Sequence, residues 1–313
     1  MKNLVDSCLR GVGQVIFLNS TTCGAMILAA LCYADLWLGF LAAIGTLSAT
    51  LSASVCKTDA TAIQAGLFGY NGCLVGCAFS VFLELQPWSL NAVLATAAFA
   101  AATAPLAAAL KPICGAVPQW TLAFNFLTLA VLCVTRPLAG VSAPQVGGKL
   151  LSELSMFELG CAPLIGISQI FVVNDAVAGA IILAAIAYYS PKCALLTFNG
   201  SLMGMSMGIV HRAPAGDIAS GLWGYNPALT SLAVAVFFVP GQPSYTLAIF
   251  GAAGSALLFA GLKSVMASAL GTPALTLPFC VVASLCMMAP AFVPALKLAE
   301  NPHSPEMNAP RKA

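Results

Sequence analysis

Long apolar runs, interrupted by single polar residues and short charged punctuation, dominate the chain. Residues 11–34, 60–83, 85–110, 112–135, 218–262 and 264–296 contain no Asp, Glu, Lys or Arg. About 20 predominantly apolar residues suffice for a helix to cross the hydrocarbon core of a bilayer. The pattern therefore predicts several membrane-spanning helices, and 313 residues leave room for about ten. In the first half the apolar segments fall near 22–34, 36–55, 66–83, 90–110 and 119–134, with a shorter one near 8–18. Glu84 and Asp217 are expected at span ends, and Glu158 close to the seam of the second half or at an interface.

The pattern repeats. "GLFGYN" at 66–71 returns as "GLWGYN" at 221–226, so Gly221 follows Gly66 by 155 positions. The same offset takes Gln14 to Gln169, Asn19 to Asn174, Gly24 to Gly179, Gly45 to Gly200, Lys57 to Arg212, Pro118 to Pro273, Thr121 to Thr276 and Phe124 to Phe279. Compositional bias would align Ala and Leu; it would not align Gln, Asn, Pro and Thr at one ungapped offset. The chain divides accordingly into a first repeat at 1–155, a second at 156–299 and a polar, Pro-rich tail at 300–313 that reads as disordered. "SAPQVGGK" at 142–149 reads as the connection. Five spans in each half is an odd number, which places the second copy upside down in the membrane.

Composition narrows the class. Sixty percent of residues are apolar, 7% are charged and the mean hydropathy is +0.95, against roughly 25% charged in soluble domains. The net charge of +2 comes without a basic run, which excludes nucleic acid as a partner. The 12 cysteines include no CxxC pair and sit among Ala, Gly and Leu, so they read as small packing residues, not disulfides or ligands. With His211 and His303 as the only histidines, no metal and no cofactor is expected. No signal peptide is read at the N-terminus, where Arg10 breaks the apolar run. Lys2, Arg10, Lys297, Arg311 and Lys312 lie in the terminal segments, which places both termini in the cytoplasm of a multi-pass protein of the inner (plasma) membrane.

Polar residues present in both halves are the candidates to line a path on the pseudo-two-fold axis. Gln14 and Phe17 share a helical face, as do Tyr70 and Leu74. Asn71 and Asn226 follow the tyrosines, and Thr121 and Thr276 each follow a proline by three positions. Those prolines, Pro118 and Pro273, are expected in mid-span, breaking helices and freeing carbonyls at the centre. Each of these residues also has a plain packing role open to it: a Gln or Thr that bonds a neighbouring helix, a Gly that allows close approach. The spans carry no acid–base chain, no Ser–His–Asp set and no metal cluster, which argues against a proton pump and an enzyme. A polar but uncharged seam suits a small, neutral, hydrogen-bonding solute.

"RGVGQVIFLN" (10–19), "GLFGYNGCLVG" (66–76), "GLWGYNPALTS" (221–231) and "TPALTLPF" (272–279) resemble the urea transporter family over roughly residues 4–296. The last stretch fits the family's Leu-Pro-x-x-Thr-x-Pro-Phe signature with Thr272 in place of Leu. The first copy, "VPQWTLAF" (117–124), has Val117 for Leu and Ala123 for the second Pro. The resemblance implies an all-α integral membrane fold: two inverted repeats of five transmembrane helices each, plus a tilted half-length helix per repeat. It also implies a homotrimer in membrane lipid, with one passive, channel-like pore per protomer for urea and small urea analogues. By motif position Gln14 and Gln169 accept solute N–H groups, Phe17 and Tyr70 form one aromatic slot with Leu74, and Tyr225 serves the other beside Leu229. Thr121 and Thr276 line the constriction. The partner of Phe17 is Val172, with Phe171 one place earlier, so the second slot is expected to be one-sided.

The rival readings are weaker. "NPA" occurs at Asn226–Ala228, but its repeat equivalent is Asn71-Gly72-Cys73, so a water or glycerol channel lacks its paired motif. An ammonia channel would need paired histidines inside the spans. An ion-coupled secondary transporter would need buried carboxylates there.

Overall fold

Helix starts in this protein are written by small polar residues at matching positions of the two halves. The computed structural model describes residues 2–83, 85–139 and 151–309; Glu84 and the expected connection at 142–149 lie outside the described residues. The elements are α1 (Lys2–Gln14), α2 (Thr21–Ala34), α3 (Leu36–Val55), α4 (Ala60–Gln64), α5 (Gly69–Phe82), α6 (Leu90–Cys114), α7 (Leu122–Ala139), α8 (Met156–Ser168), α9 (Ala176–Tyr189), α10 (Pro191–Val210), α11 (Ala215–Ala219), α12 (Tyr225–Phe237), α13 (Gln242–Leu270), α14 (Leu277–Met288) and α15 (Pro305–Asn308). Ser20 caps α2 and Asp175 caps α9; Asp35 caps α3 and Ser190 caps α10. Ser and Asp exchange between equivalent positions because the orphan N–H groups of a helix start need an oxygen, not one residue type. Glu158 completes a capping box with Ser155 at the start of α8.

The chain forms two compact units, Met1–Val141 and Ser142–Ala313. Both units run through the same order of elements. Within the first, α3 packs on α5 and α6, and α1 on α2; within the second, α10 packs on α12 and α13, and α8 on α9. The repeat extends to backbone geometry. Phe17 and Val172 both have φ 62°, Lys57 and Arg212 φ 53° and 52°, and Trp120 and Leu275 φ 49° and 46°. Left-handed conformations cost a non-Gly residue energy, so their recurrence at one offset marks turns that the fold needs twice.

Helices α3, α6, α10 and α13 are each long and apolar enough to cross a membrane. Met156–Phe171 with α9 makes a further apolar pair bent by 77°. Five shorter apolar helices accompany them among the described residues, including α5 and α12; the 13 residues of α12 rise only about 20 Å. The protein is thus an all-α, multi-pass membrane protein. All twelve cysteines are free thiols. Pro118 and Pro273 are not in mid-helix: they stand in the irregular segments before α7 and α14. Prolines inside helices are found elsewhere, among them Pro105 and Pro112 in α6 and Pro163 in α8.

Two glycine pairs set the packing. A Cβ on Gly24 would lie 1.7 Å from the Leu9 carbonyl oxygen, and one on Gly179 2.0 Å from that of Leu164. Thus α2 touches α1, and α9 touches α8, backbone to backbone. Gly66 (φ 78°) and Gly221 (φ 69°) combine a left-handed turn with a main-chain approach to Gly11 and Gly166, which only glycine allows.

Described residues of the C-terminal segment contact the helix ends of the second unit. Ser304 is buried, and Glu306 accepts hydrogen bonds from Ser190 Oγ and from Lys192 N at 3.1 Å, at the start of α10. Asn308 Nδ2 donates to the Val236 and Phe238 carbonyls at the end of α12, at 2.7 and 3.3 Å. His303 stacks on Tyr189 with ring centroids 4.7 Å apart. Burial pushes the Glu306 carboxyl up, but the hydrogen bonds from Ser190, its own backbone, Lys192 and Ser304 outweigh it and hold the group below the usual carboxylate range. A lowered folded value means that the contribution is complete above the ordinary carboxylate range and is lost as pH falls through the lowered value. Acidification through that lowered value therefore weakens the hold of Glu306 on the start of α10. Glu306→Gln abolishes that pH step in protease sensitivity of the C-terminus; an unchanged step would contradict the assignment.

Candidate functional site

Each unit brings its candidate residues together around one joint, the GLxGYN hexapeptide. In the first unit Gln14 ends α1, and its Nε2 donates to the Ala65 carbonyl at 3.0 Å. In the second, Gln169 Nε2 donates to the Ser220 carbonyl, 155 positions on, at 2.9 Å. Both acceptors are C-cap residues, of α4 and α11. The amide donor of each glutamine is committed to backbone, and its Oε1 is left as the acceptor. Both side chains are half-buried.

The tyrosine and asparagine of the hexapeptide lock the next polar element. Tyr70 Oη donates to the Trp120 carbonyl, and Tyr225 Oη to the Leu275 carbonyl at 2.7 Å. Asn71 Oδ1 accepts from Phe124 N at 3.1 Å, and Asn226 Oδ1 from Phe279 N at 3.0 Å. A left-handed residue, Trp120 or Leu275, stands directly before Thr121 or Thr276. The clamp thus fixes the turn that presents the threonine at the start of α7 or α14. Both threonines are 3% exposed. Asn125 Nδ2 donates to the Thr121 carbonyl at 2.8 Å. Leu74 and Leu229, one turn beyond the tyrosines, are each 1% exposed. The repeated hexapeptide is therefore a mechanical joint first: it ties α1 or α8, its own helix and the threonine-bearing turn into one piece.

The two half-sites differ in their walls. In the first unit the Phe17 and Trp120 rings meet edge-on, centroids 5.8 Å apart at 74°, and Gln119 Nε2 donates to Tyr70 Oη. The second unit has Val172, Leu275 and Ala274 at those positions. Phe171 does not substitute for Phe17: it is fully buried in the core, while Val172 keeps the left-handed position. Instead α13 supplies an aromatic. Phe259 meets Tyr225 at 5.6 Å and Trp223 at 5.9 Å, both edge-on. Position 104, its equivalent, is alanine. Sequence reasoning missed Trp120 and Phe259. Trp120 had a signal, since it directly precedes the repeated threonine; Phe259 had none.

Asp217, expected at a span end, is buried on α11 and ion-paired with Lys263 of α13. Among the described residues no group of three or more His, Cys, Asp or Glu side chains could hold a metal ion. Hydrogen-bond acceptors, hydroxyls and ring faces are the chemistry on offer.

The urea transporter family model matches residues 5–291. The chain belongs to the urea transporter family. It is 32% identical over 299 residues to urea transporter 1 of Rattus norvegicus, 31% over 294 residues to that of Ovis aries and 30% over 299 residues to that of Mus musculus. Each match covers 91% of this chain and 76% of the relative. A urea transporter is a transport protein, not an enzyme, and the arrangement of the half-sites accords with that.

Proposed function

We propose that this urea transporter carries urea passively down its gradient through a pore on the pseudo-two-fold axis of each protomer. The pore is lined by Gln14, Phe17, Tyr70, Leu74 and Thr121 from one half and by Gln169, Val172, Tyr225, Leu229 and Thr276 from the other. The observation that carries the reading is the hydrogen bonding of the two glutamines: each spends an N–H on a backbone carbonyl, which supports its oxygen as the acceptor for the solute. Urea is flat and neutral, with four N–H donors, and each donor stripped of water without a replacement costs several kcal/mol. Acceptors met in sequence replace that water stepwise, and no single site is strong enough to trap the solute. Small urea analogues share the same donors. The repeat, of five crossings per half in opposite orientation, assembles as a homotrimer in the plasma membrane with both termini in the cytoplasm.

The test is urea flux in Gln14→Ala and Gln169→Ala proteoliposomes. One lost solute hydrogen bond of about 1–1.5 kcal/mol lowers flux roughly five- to tenfold in each variant. Wild-type flux in both would overturn the reading.

A further inference from the structure

The second unit carries a charge pair that the first lacks. Asp217 is 2% exposed, and its Oδ2 accepts from Lys263 Nζ. Lys263 is the single charged residue of the 29-residue helix α13. The equivalent positions in the first unit, 62 and 108, are both alanine. A carboxylate stays buried only when paired, and removing one partner strands the other. Helix α11 has five residues, far too few to be stable by itself. Its place depends on what holds it, and the ion pair is a strong tie to a long helix.

What that tie controls is the end of α11. The Asp217 main-chain carbonyl accepts from Leu222 N at 3.1 Å and from Ser220 Oγ at 3.3 Å. The turn that contains Ser220 is thus built on Asp217 itself. The Ser220 carbonyl in turn takes the Gln169 Nε2 hydrogen. One chain of contacts runs Lys263, Asp217, Ser220, Gln169. We propose that Asp217 and Lys263 are positioning residues for Gln169: they fix α11, and so the direction in which the Gln169 amide offers its oxygen to the solute. The inference rests on the reading of Gln169 as a solute acceptor. It makes the two ends of the path mechanically unequal. Gln14 hangs on α4, which Asp59 caps through Thr61 N and which carries no such tie.

A double-mutant cycle on urea flux tests this in reconstituted full-length protein. Asp217→Asn with Lys263→Met removes both charges at little change in volume and strands neither. It lowers flux three- to tenfold in the wild-type background and by the same factor on top of Gln14→Ala. On top of Gln169→Ala it has no further effect, because the residue it positions is gone. Lys263→Arg retains wild-type flux. The same cycle with Asp217→Asn and Lys263→Gln, at a side chain 35% exposed, gives the answer if the first double variant does not fold. Equal further losses in both glutamine backgrounds, or wild-type flux in the neutralised proteins, would overturn the proposal. Wild-type flux in Gln169→Ala itself would overturn the acceptor reading, and the proposal with it.

Discussion

Gly179→Leu eliminates folded protein, whereas Gly160→Leu, on the same bent pair of helices, leaves it intact. A side chain at 179 would place its Cβ 2.0 Å from the Leu164 carbonyl oxygen and 2.6 Å from the carbonyl carbon. Nothing flexible can yield there, since both atoms are backbone of α8. At 160 a Cβ would meet nothing within 4 Å. Ordinary overpacking costs about 1–3 kcal/mol. Here α8 and α9 would have to separate, and they also carry the Gln169 end of the half-site. The cost approaches the ~5–15 kcal/mol by which proteins are stable at all. Size-exclusion profiles of detergent-solubilised protein read the outcome. A monodisperse Gly179→Leu peak with wild-type thermal stability would contradict the backbone contact.

The second large effect is on transport. Thr121→Val with Thr276→Val lowers urea flux roughly 30- to 100-fold, from two lost acceptors worth about 1–1.5 kcal/mol each. The exchange changes little volume. Thr276 makes no side-chain cap bond to its helix, although it occupies the N-cap position. The tyrosine and asparagine clamps reach the backbone on either side of the threonines, at Trp120 and Phe124 and at Leu275 and Phe279, and do not involve the hydroxyls. Asn125 Nδ2 also reaches Thr121 Oγ1 at 3.4 Å, so thermal melts are run alongside to separate any loss of stability from the loss of flux. Flux at the wild-type level in the double variant would remove the threonines from the path.

Much of this was legible in the letters because the chain states its design twice. The offset of Gly66 and Gly221 predicts equivalent elements, and α3 and α10 begin and end at equivalent residues, Leu36–Val55 and Pro191–Val210. Gln14 and Gln169, Tyr70 and Tyr225, and Thr121 and Thr276 stood out as polar residues kept at both positions of an apolar repeat. What the repeat does not duplicate could not be read from it. Phe259 comes to Tyr225 across 34 residues of chain and has alanine as its equivalent. Asp217 and Lys263 are likewise unmatched, and their pairing depends on how α11 meets α13. Pro118 and Pro273, read as marks of short or broken helices, stand in the segments that lead into α7 and α14. Glu306 joins Ser190 over 116 positions, a distance at which sequence pattern carries no information.

The central claim is passive passage of urea. Stopped-flow light scattering of urea efflux from proteoliposomes, with no ion gradient and beside protein-free liposomes, tests it most directly. The account predicts fast efflux that saturates only weakly and does not change when a proton or sodium gradient is imposed. Efflux at the protein-free rate, or efflux that appears only with an ion gradient, would contradict it.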